Sequence, residues 1–599
     1  MKRDGSNDDA ANGVNYREMM VVLRQGRSRI LSILLFGSMV AYISLTIFLQ
    51  THFESTFHHD DAARKDSMNR LIQPITDQKV IHKLNGLSCL RFIGGSDYNA
   101  SEMIYWEDIP NDSLYLSPFS NPNRVLYMTF EVDNSGFNNV RMGLETVVAL
   151  AIATGRTLVL PAAEELRHLR AHSGHDGAEQ QTAFSFQDFF HMDSIAKEHT
   201  GFKMITMEDF LQREGMTGNL KDANGSVVYP PHRRTNWDGA GHDTLQFELE
   251  HYLRTVGTIS EWDPEVCLVV FPTSGDSRNV QRLETIATSL MNDADAGSHE
   301  TYIGHPVRVD ASAKDRLQEG WANRERLCFY DEGLQDVPLL HFTGGPNSDF
   351  PTRSDRIKEF FGFKIPRPND KSMDRGKRIL VHFYAFLFFE DWKQDLWMKR
   401  FIRDHMRYSD SIQCAAASVV SAIRDLARSA SNPHGDFDTF HIRRGDFASD
   451  VKYDAWRILN MSQPEIKMGS TVYIATDETN RAFFEPLAMQ YKLLFLDDFE
   501  HLLDGFNTNM YGMVDQLIAA RGRVFFGCWG STFSGYILRL RGYFANKAKA
   551  PGYEHGVVAS SYYYAKHEHK YHMQEYWPVK KQFYAREFPT SWRLIDHGL

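Results

Sequence analysis

Phe440-His441-Ile442-Arg443-Arg444-Gly445-Asp446-Phe447 joins a strand to a turn through two guanidinium groups. The run Asp438-Thr439-Phe440-His441-Ile442 alternates polar and apolar side chains after the turn-forming Asn432-Pro433-His434-Gly435, which predicts a strand. Arg443 and Arg444 fall at its carboxyl end, and Gly445 lets the backbone turn sharply. In open α/β sheets ligands sit outside the carboxyl ends of the strands. The planar fork of arginine suits two phosphate oxygens at once. A surface ion pair with Asp446 would account for the same residues, so the reading rests on what surrounds them.

Downstream the pattern is regular. Thr471-Val472-Tyr473-Ile474-Ala475 predicts a second strand, ending in Thr476-Asp477-Glu478, and Leu493-Leu494-Phe495-Leu496 a third, ending in Asp497-Asp498. Met513 to Ala520 reads as helix, and Arg523 to Gly527 as a strand running into Cys528-Trp529-Gly530-Ser531-Thr532-Phe533-Ser534. Phe533, Ile537 and Leu540 then recur on one face of a helix expected to close at Gly542. Ser531 or Thr532 is the natural N-cap, and such a turn offers unpaired N–H groups to an anion. Upstream, the strand Val125 to Phe130 leads through the polar loop Glu131 to Asn139 into a helix marked by Val140, Leu144, Val147 and Ala151. That helix ends at Gly155, and Thr157 to Leu160 begins the next strand. Strand, loop, helix, strand is a βαβ unit with its functional loop at the first strand's carboxyl end.

Four blocks in this order, His441 to Phe447, Ala475-Thr476-Asp477, Asp515-Gln516 and Phe525 to Ser534, resemble the O-fucosyltransferase family, which transfers fucose from GDP-fucose. The likeness is greatest to the type acting on thrombospondin repeats, and it covers about residues 122–162 and 378–545. It implies an α/β fold of the GT-B kind, two Rossmann-like lobes facing a cleft, with the donor held by the second. It also implies Arg443 on the β-phosphate, Asp515 on the guanine edge, and Ser531, Thr532 and Phe533 around the diphosphate and ribose. His441, Arg444, Asp446, Asp477, Gly136, Phe137 and Arg141 would complete the donor site. No metal and no cofactor besides the donor substrate is expected, because fixed cationic donors can meet the charge that develops on departing GDP.

The opening loop departs from the family. Gly136-Phe137-Asn138 and Arg141 match, but Ser135 stands where the thrombospondin-repeat enzymes carry a catalytic glutamate, and Asn134 replaces the preceding glycine. Serine cannot serve as a base at neutral pH without activation. Asp133 and Glu131 are the carboxylates left on the loop. The type acting on epidermal-growth-factor-like repeats implies a third candidate, Asn138, because it uses an asparagine here and no obvious carboxylate.

Among 599 residues, 66 basic against 77 acidic side chains give a net charge of −11, so nothing marks a nucleic-acid partner. Ile30 to Leu49 carries no charge and, at about 1.5 Å per helical residue, matches the bilayer's hydrocarbon thickness. Arg24, Arg27 and Arg29 precede it, and no Lys or Arg follows until Arg64. The positive-inside rule then predicts a single-pass type II protein, and the resemblance implies the Golgi or ER membrane, with the catalytic part lumenal. The expected organisation is a cytosolic tail at 1–29, an anchor at 30–49, a stem at 50–120, a first lobe with an insertion at 121–395, a donor lobe at 396–550 and a tail at 551–599. Sequons at Asn99, Asn111, Asn224 and Asn460 are consistent with a lumenal chain. Five cysteines leave at least one unpaired in the monomer.

Three other signals compete. Asp436-Phe437-Asp438 and Asp293-Ala294-Asp295 spell a metal-binding pattern, but hard cations need further converging oxygens that the sequence does not supply. His567, His569 and His572 have zinc-like spacing without a second ligand cluster. Cys528 adjoins the phosphate loop without an identifiable base. The acceptor, a protein or a glycan, is not legible. A lumenal GDP-sugar binder without catalysis, or a transferase using another GDP-sugar, would retain the same motifs.

Overall fold

The structure, a computed structural model, describes residues 86–90 and most of 100–597. The stretches 133–135, 170–182, 229–242, 294–311, 344–386, 446–451 and 575–591, with several shorter ones, lie outside the described residues, as does everything before 86. The predicted anchor at 30–49 therefore falls outside it. Among the described residues no helix is long and apolar enough to cross a membrane.

Three parallel sheets organise the described residues. The first has the order β3-β2-β1-β7-β4, built from β1 (Tyr127–Phe130), β2 (Thr157–Leu160), β3 (Lys203–Thr206), β4 (Thr258–Ile259) and β7 (Leu339–Phe342). A small second sheet, β6-β5-β8, joins β5 (Cys267–Phe271), β6 (Arg326–Phe329) and β8 (Leu387–Phe389). The third has the order β11-β10-β9-β12-β13, from β9 (Asp438–Ile442), β10 (Thr471–Thr476), β11 (Lys492–Leu494), β12 (Phe525–Cys528) and β13 (Ser561–Tyr564).

The strand read first, β9, lies at the centre of the third sheet and is buried at all five positions. Its polar residues do not face water, because a central parallel strand is covered on both sides. Each finds a partner instead. Asp438 accepts from Arg523 at 2.8 Å and from the Val524 N–H at 3.0 Å, and Thr439 donates to the Ala519 carbonyl at 2.9 Å. His441 meets Ser534 Oγ at 2.6 Å.

Helix α1 (Phe137–Thr154) is buried at all but one of its residues, which its nearly continuous apolar sequence requires. It ends at Gly155, whose φ of 67° suits glycine and whose α-hydrogen faces the Ser120 backbone; a Cβ there would come within 2.6 Å of it. Helices α2 (Trp392–His405) and α3 (Asp410–Ala427) follow, then α4 (Tyr511–Ala520) and α5 (Thr532–Lys547) of the third sheet's lobe. The expected stop at Gly542 does not occur. Helix α5 runs on to Lys547, held by Arg541, which donates to the Gly522 carbonyl and to Ser561 Oγ, and by buried Tyr543.

Two boundaries differ from the sequence reading. Residues 100–119, expected as stem, are built into the fold: Trp106 is fully buried and Arg400 forks onto Asp112 at 2.7 and 2.9 Å. Cys89 is disulfide-bonded to Cys414, Cys328 is also disulfide-bonded, and Cys528 is free. At the other end, the expected tail supplies β13 to the third sheet.

Candidate active site

The carboxyl edge of the third sheet gathers most of the residues singled out in the sequence. Arg443 follows β9 and is half-buried, its backbone N–H donating to Tyr564 Oη at 3.0 Å. Tyr564 comes from β13, so the expected tail fixes the arginine's position. The two residues after Arg443 are held by one carboxylate. Asp477, past the end of β10, accepts from the Arg444 N–H at 2.7 Å and the Gly445 N–H at 2.9 Å. A Cβ on Gly445 would stand 2.8 Å from Asp477 Oδ2, which is why this position takes glycine.

Arg444 turns the other way from the expected role. Its Nε donates to Glu478 at 3.0 Å and its guanidinium lies over the Phe483 ring at 4.1 Å, so its charge is matched within the protein. Asp446 lies outside the described residues.

On the adjoining side, β12 runs into Ser531, the N-cap of α5. The Ser531 hydroxyl is buried and has no hydrogen-bond partner among the described residues, an arrangement that costs about 1–3 kcal/mol unless another group satisfies it. Phe533 stacks on His441 with ring centroids 4.3 Å apart. Burial, and then the charge of Arg443, lowers the His441 pKa to about 3, so this imidazole is neutral at physiological pH. Ser534 Oγ accepts the Cys528 N–H at 2.7 Å, which ties the phosphate-loop candidate to its strand.

On α4, Asp515 is half-buried and accepts from Tyr473 Oη of β10. Burial raises its pKa to about 7 and the charge of Asp497 adds to the rise, while the Tyr473 hydrogen bond opposes it. A desolvated carboxylate with unused acceptor capacity is suited to a ligand that offers paired N–H groups.

The first lobe's loop is divided. Gly136 caps α1. Phe137 packs against Phe189 at 4.7 Å in the core rather than lining the edge. Asn138 is buried and its Oδ1 accepts from Gln516 Nε2 at 2.9 Å across the two lobes. Arg141 is wholly buried, donating to Glu145 at 2.7 Å beneath the Tyr536 ring; Arg539 of α5 donates to the same carboxylate at 2.6 and 3.0 Å. This network joins the lobes, and it occupies the arginine expected at the donor. Asp133 lies outside the described residues. Glu131 accepts a fork from Arg254 at 2.6 and 2.7 Å and faces His341 Nε2 at 3.2 Å. Burial alone would raise its pKa, but the hydrogen bonds of His341 and Arg254 hold it down to about 2, too low for a general base near neutrality.

The rival signals are described only in part. Asp438 is committed to Arg523 and Val524 at the strand's start, and among the described residues no cluster of three or more His, Cys, Asp or Glu could hold a metal. Asp295 and His572 lie outside the described residues, whereas His569 stacks on Trp529 at 4.5 Å. Burial pushes the Cys528 thiol up to about 12, leaving it unreactive at neutral pH. The sequence assigns no role to Tyr564, Glu145 or Gln516, although Gln516 stands in one of the four motif blocks. The β-prone run Ser561-Tyr562-Tyr563-Tyr564 was the available signal for the first.

The family model for GDP-fucose protein O-fucosyltransferase matches residues 127–544, most of the chain and every strand of the three sheets except β13. The protein is thus an α/β enzyme of the glycosyltransferase class. It belongs to the GDP-fucose protein O-fucosyltransferase family. Among solved structures, POFUT1 in complex with GDP is similar at 13% identity and a TM-score of 0.27, covering 70% of this chain and 95% of that one. An Arabidopsis thaliana FUT1 mutant in complex with GDP gives 11% and 0.26, covering 71% of each chain. NodZ alpha-1,6-fucosyltransferase soaked with GDP-fucose gives 12% and 0.26, covering 70% and 92%. Comparison with curated protein sequences finds no match.

Proposed function

We propose that the protein moves fucose from GDP-fucose to a hydroxyl of a protein or glycan acceptor. In this reading it is a GT-B enzyme anchored as a type II protein by residues 30–49, with its catalytic part in the Golgi or ER lumen. The observation that carries the donor assignment is a set of three groups on adjoining elements: Arg443 after β9, the Ser531 hydroxyl, buried without a partner among the described residues at the start of α5, and desolvated Asp515 on α4, whose neighbour Gln516 reaches the Phe533 carbonyl.

Each has a role that follows from its chemistry. The Arg443 fork takes the β-phosphate oxygens, and the α5 N-terminus with Ser531 and Thr532 takes the remaining diphosphate charge. Asp515 accepts the guanine N–H pair. Phe533 lies against the sugar-nucleotide, stacked on neutral His441. Arg444, Asp477, Gly136, Phe137 and Arg141 build the frame rather than touch the donor. As the bond between the fucose anomeric carbon and the β-phosphate oxygen breaks, charge grows on GDP, and Arg443 meets it without reorganising. The acceptor oxygen then attacks a sugar with oxocarbenium character. Glu131 is already ion-paired, so Asn138 or Asp133 orients the acceptor hydroxyl, and its proton leaves late, to the Asp133 carboxylate or to the β-phosphate oxygen freed on departing GDP. No metal is used.

The test is donor hydrolysis by the full-length protein in detergent. Release of GDP and free fucose from GDP-fucose is expected, and its absence under conditions where GDP binds would favour a binding protein without turnover.

A further inference from the structure

One buried amide joins the start of α1 to the helix that carries Asp515. Gln516 is 1% exposed. Its Nε2 donates to Asn138 Oδ1 at 2.9 Å and lies 3.4 Å from the Phe533 carbonyl, while its Oε1 accepts from Tyr408 Oη at 2.7 Å. These neighbours settle which end of the amide carries hydrogen. A backbone carbonyl can only accept, so the group facing Phe533 is the NH2. The other end then meets a phenol that burial keeps protonated and able to donate. Asn138, facing an N–H, has to present its oxygen to Gln516. Its own Nδ2, with two hydrogens, makes no hydrogen bond among the described residues.

We propose that Gln516 is a positioning residue that sets the polarity of Asn138. Asn138 then meets the reacting groups only as a hydrogen-bond donor, never as an acceptor. This rests on the reading that Asn138 belongs to the active site. The chemical consequence is specific: Asn138 can hold a phosphate, glycosidic or hydroxyl oxygen, but it cannot receive the acceptor's proton. Because Gln516 meets both the Phe533 carbonyl and Asn138, one side chain links the first turn of α5 to the start of α1.

The test compares Gln516→Glu, Gln516→Met, Asn138→Ala and the double variant Asn138→Ala/Gln516→Met in the full-length protein. The readouts are GDP-fucose hydrolysis, GDP titration and thermal melting. Glutamate supplies no hydrogen and turns the Asn138 amide over. Methionine keeps the volume without charge, so it reports even where the buried carboxylate prevents folding. Both variants are expected to keep GDP affinity within about threefold and to lose about tenfold or more in kcat, because a misaimed group loses its positioning advantage. The double variant should match Asn138→Ala within about twofold, since residues acting through one another are not additive. Wild-type kcat in Gln516→Met, or a double variant whose loss is the product of the single losses, overturns the inference while leaving Asn138 in place. Wild-type kcat in Asn138→Ala overturns both the inference and the reading beneath it.

Discussion

Replacing Asp515 by asparagine should separate the recognition of guanine from the stability of the empty protein. The carboxyl titrates near 7 because burial and Asp497 disfavour its charge. Guanine N1–H and N2–H can only donate, so binding requires the ionised form, and the apparent Kd is the intrinsic one divided by the ionised fraction. That fraction falls from about nine-tenths at pH 8 to about one-tenth at pH 6, so GDP affinity should weaken about tenfold over that interval. Binding near pH 7 should also release a fraction of a proton, seen in titration calorimetry as a heat that varies with buffer ionisation enthalpy. Asp515→Asn should flatten the pH profile and weaken GDP by about 2 kcal/mol, because one N–H of guanine would face an amide N–H.

The stability effect has the opposite sign. A folded-state pKa raised above the unfolded one favours folding only while the group is protonated. The wild-type protein therefore loses stability as pH rises from near 4 through about 7, on the order of 2–4 kcal/mol in all. Asp515→Asn should accordingly raise the melting temperature at pH 8 and leave it nearly unchanged at pH 4. GDP affinity that is the same at pH 6 and pH 8, or an asparagine variant that binds GDP as the wild type does, would refute the assignment.

Arg443→Ala should cost about 3 kcal/mol or more in transition-state stabilisation, at least a hundredfold in kcat for GDP-fucose hydrolysis, and Arg443→Lys should rescue little because a point charge cannot reproduce the fork. Glu145→Ala leaves Arg141 and Arg539 buried without their shared carboxylate and should lower stability by about 3–5 kcal/mol in chemical denaturation. Glu131→Gln should keep near-normal hydrolysis at pH 7, since a carboxyl held near 2 by Arg254 and His341 is not the base; a loss larger than about tenfold with GDP binding intact would return Glu131 to the chemistry. A tag at the N-terminus should be cytosolic in intact cells and the C-terminus protected from added protease; the reverse pattern would overturn the type II reading.

Local chemistry alone carried a large part of this protein. The spacing of apolar residues marked β9, β10, β12, α1 and α4, because period and turn residues are properties of a short stretch. Arginine at a strand's end and a small-residue turn before a helix pointed to an anion for the same reason: the functional groups themselves are in the letters. What each group does was decided only by distant neighbours. Arg443 and Arg444 are adjacent and identical, yet one has its backbone held by Tyr564 at the carboxyl end of β9 while the side chain of the other is spent on Glu478 and Phe483. Arg141 matched a donor-site pattern and is instead locked to Glu145 beneath Tyr536. Asn138 and Gln516 are 378 residues apart in sequence, and their hydrogen bond exists only once both lobes have folded. The titration of Asp515 has the same origin, since desolvation depends on everything packed around a carboxyl and on nothing in the residue itself.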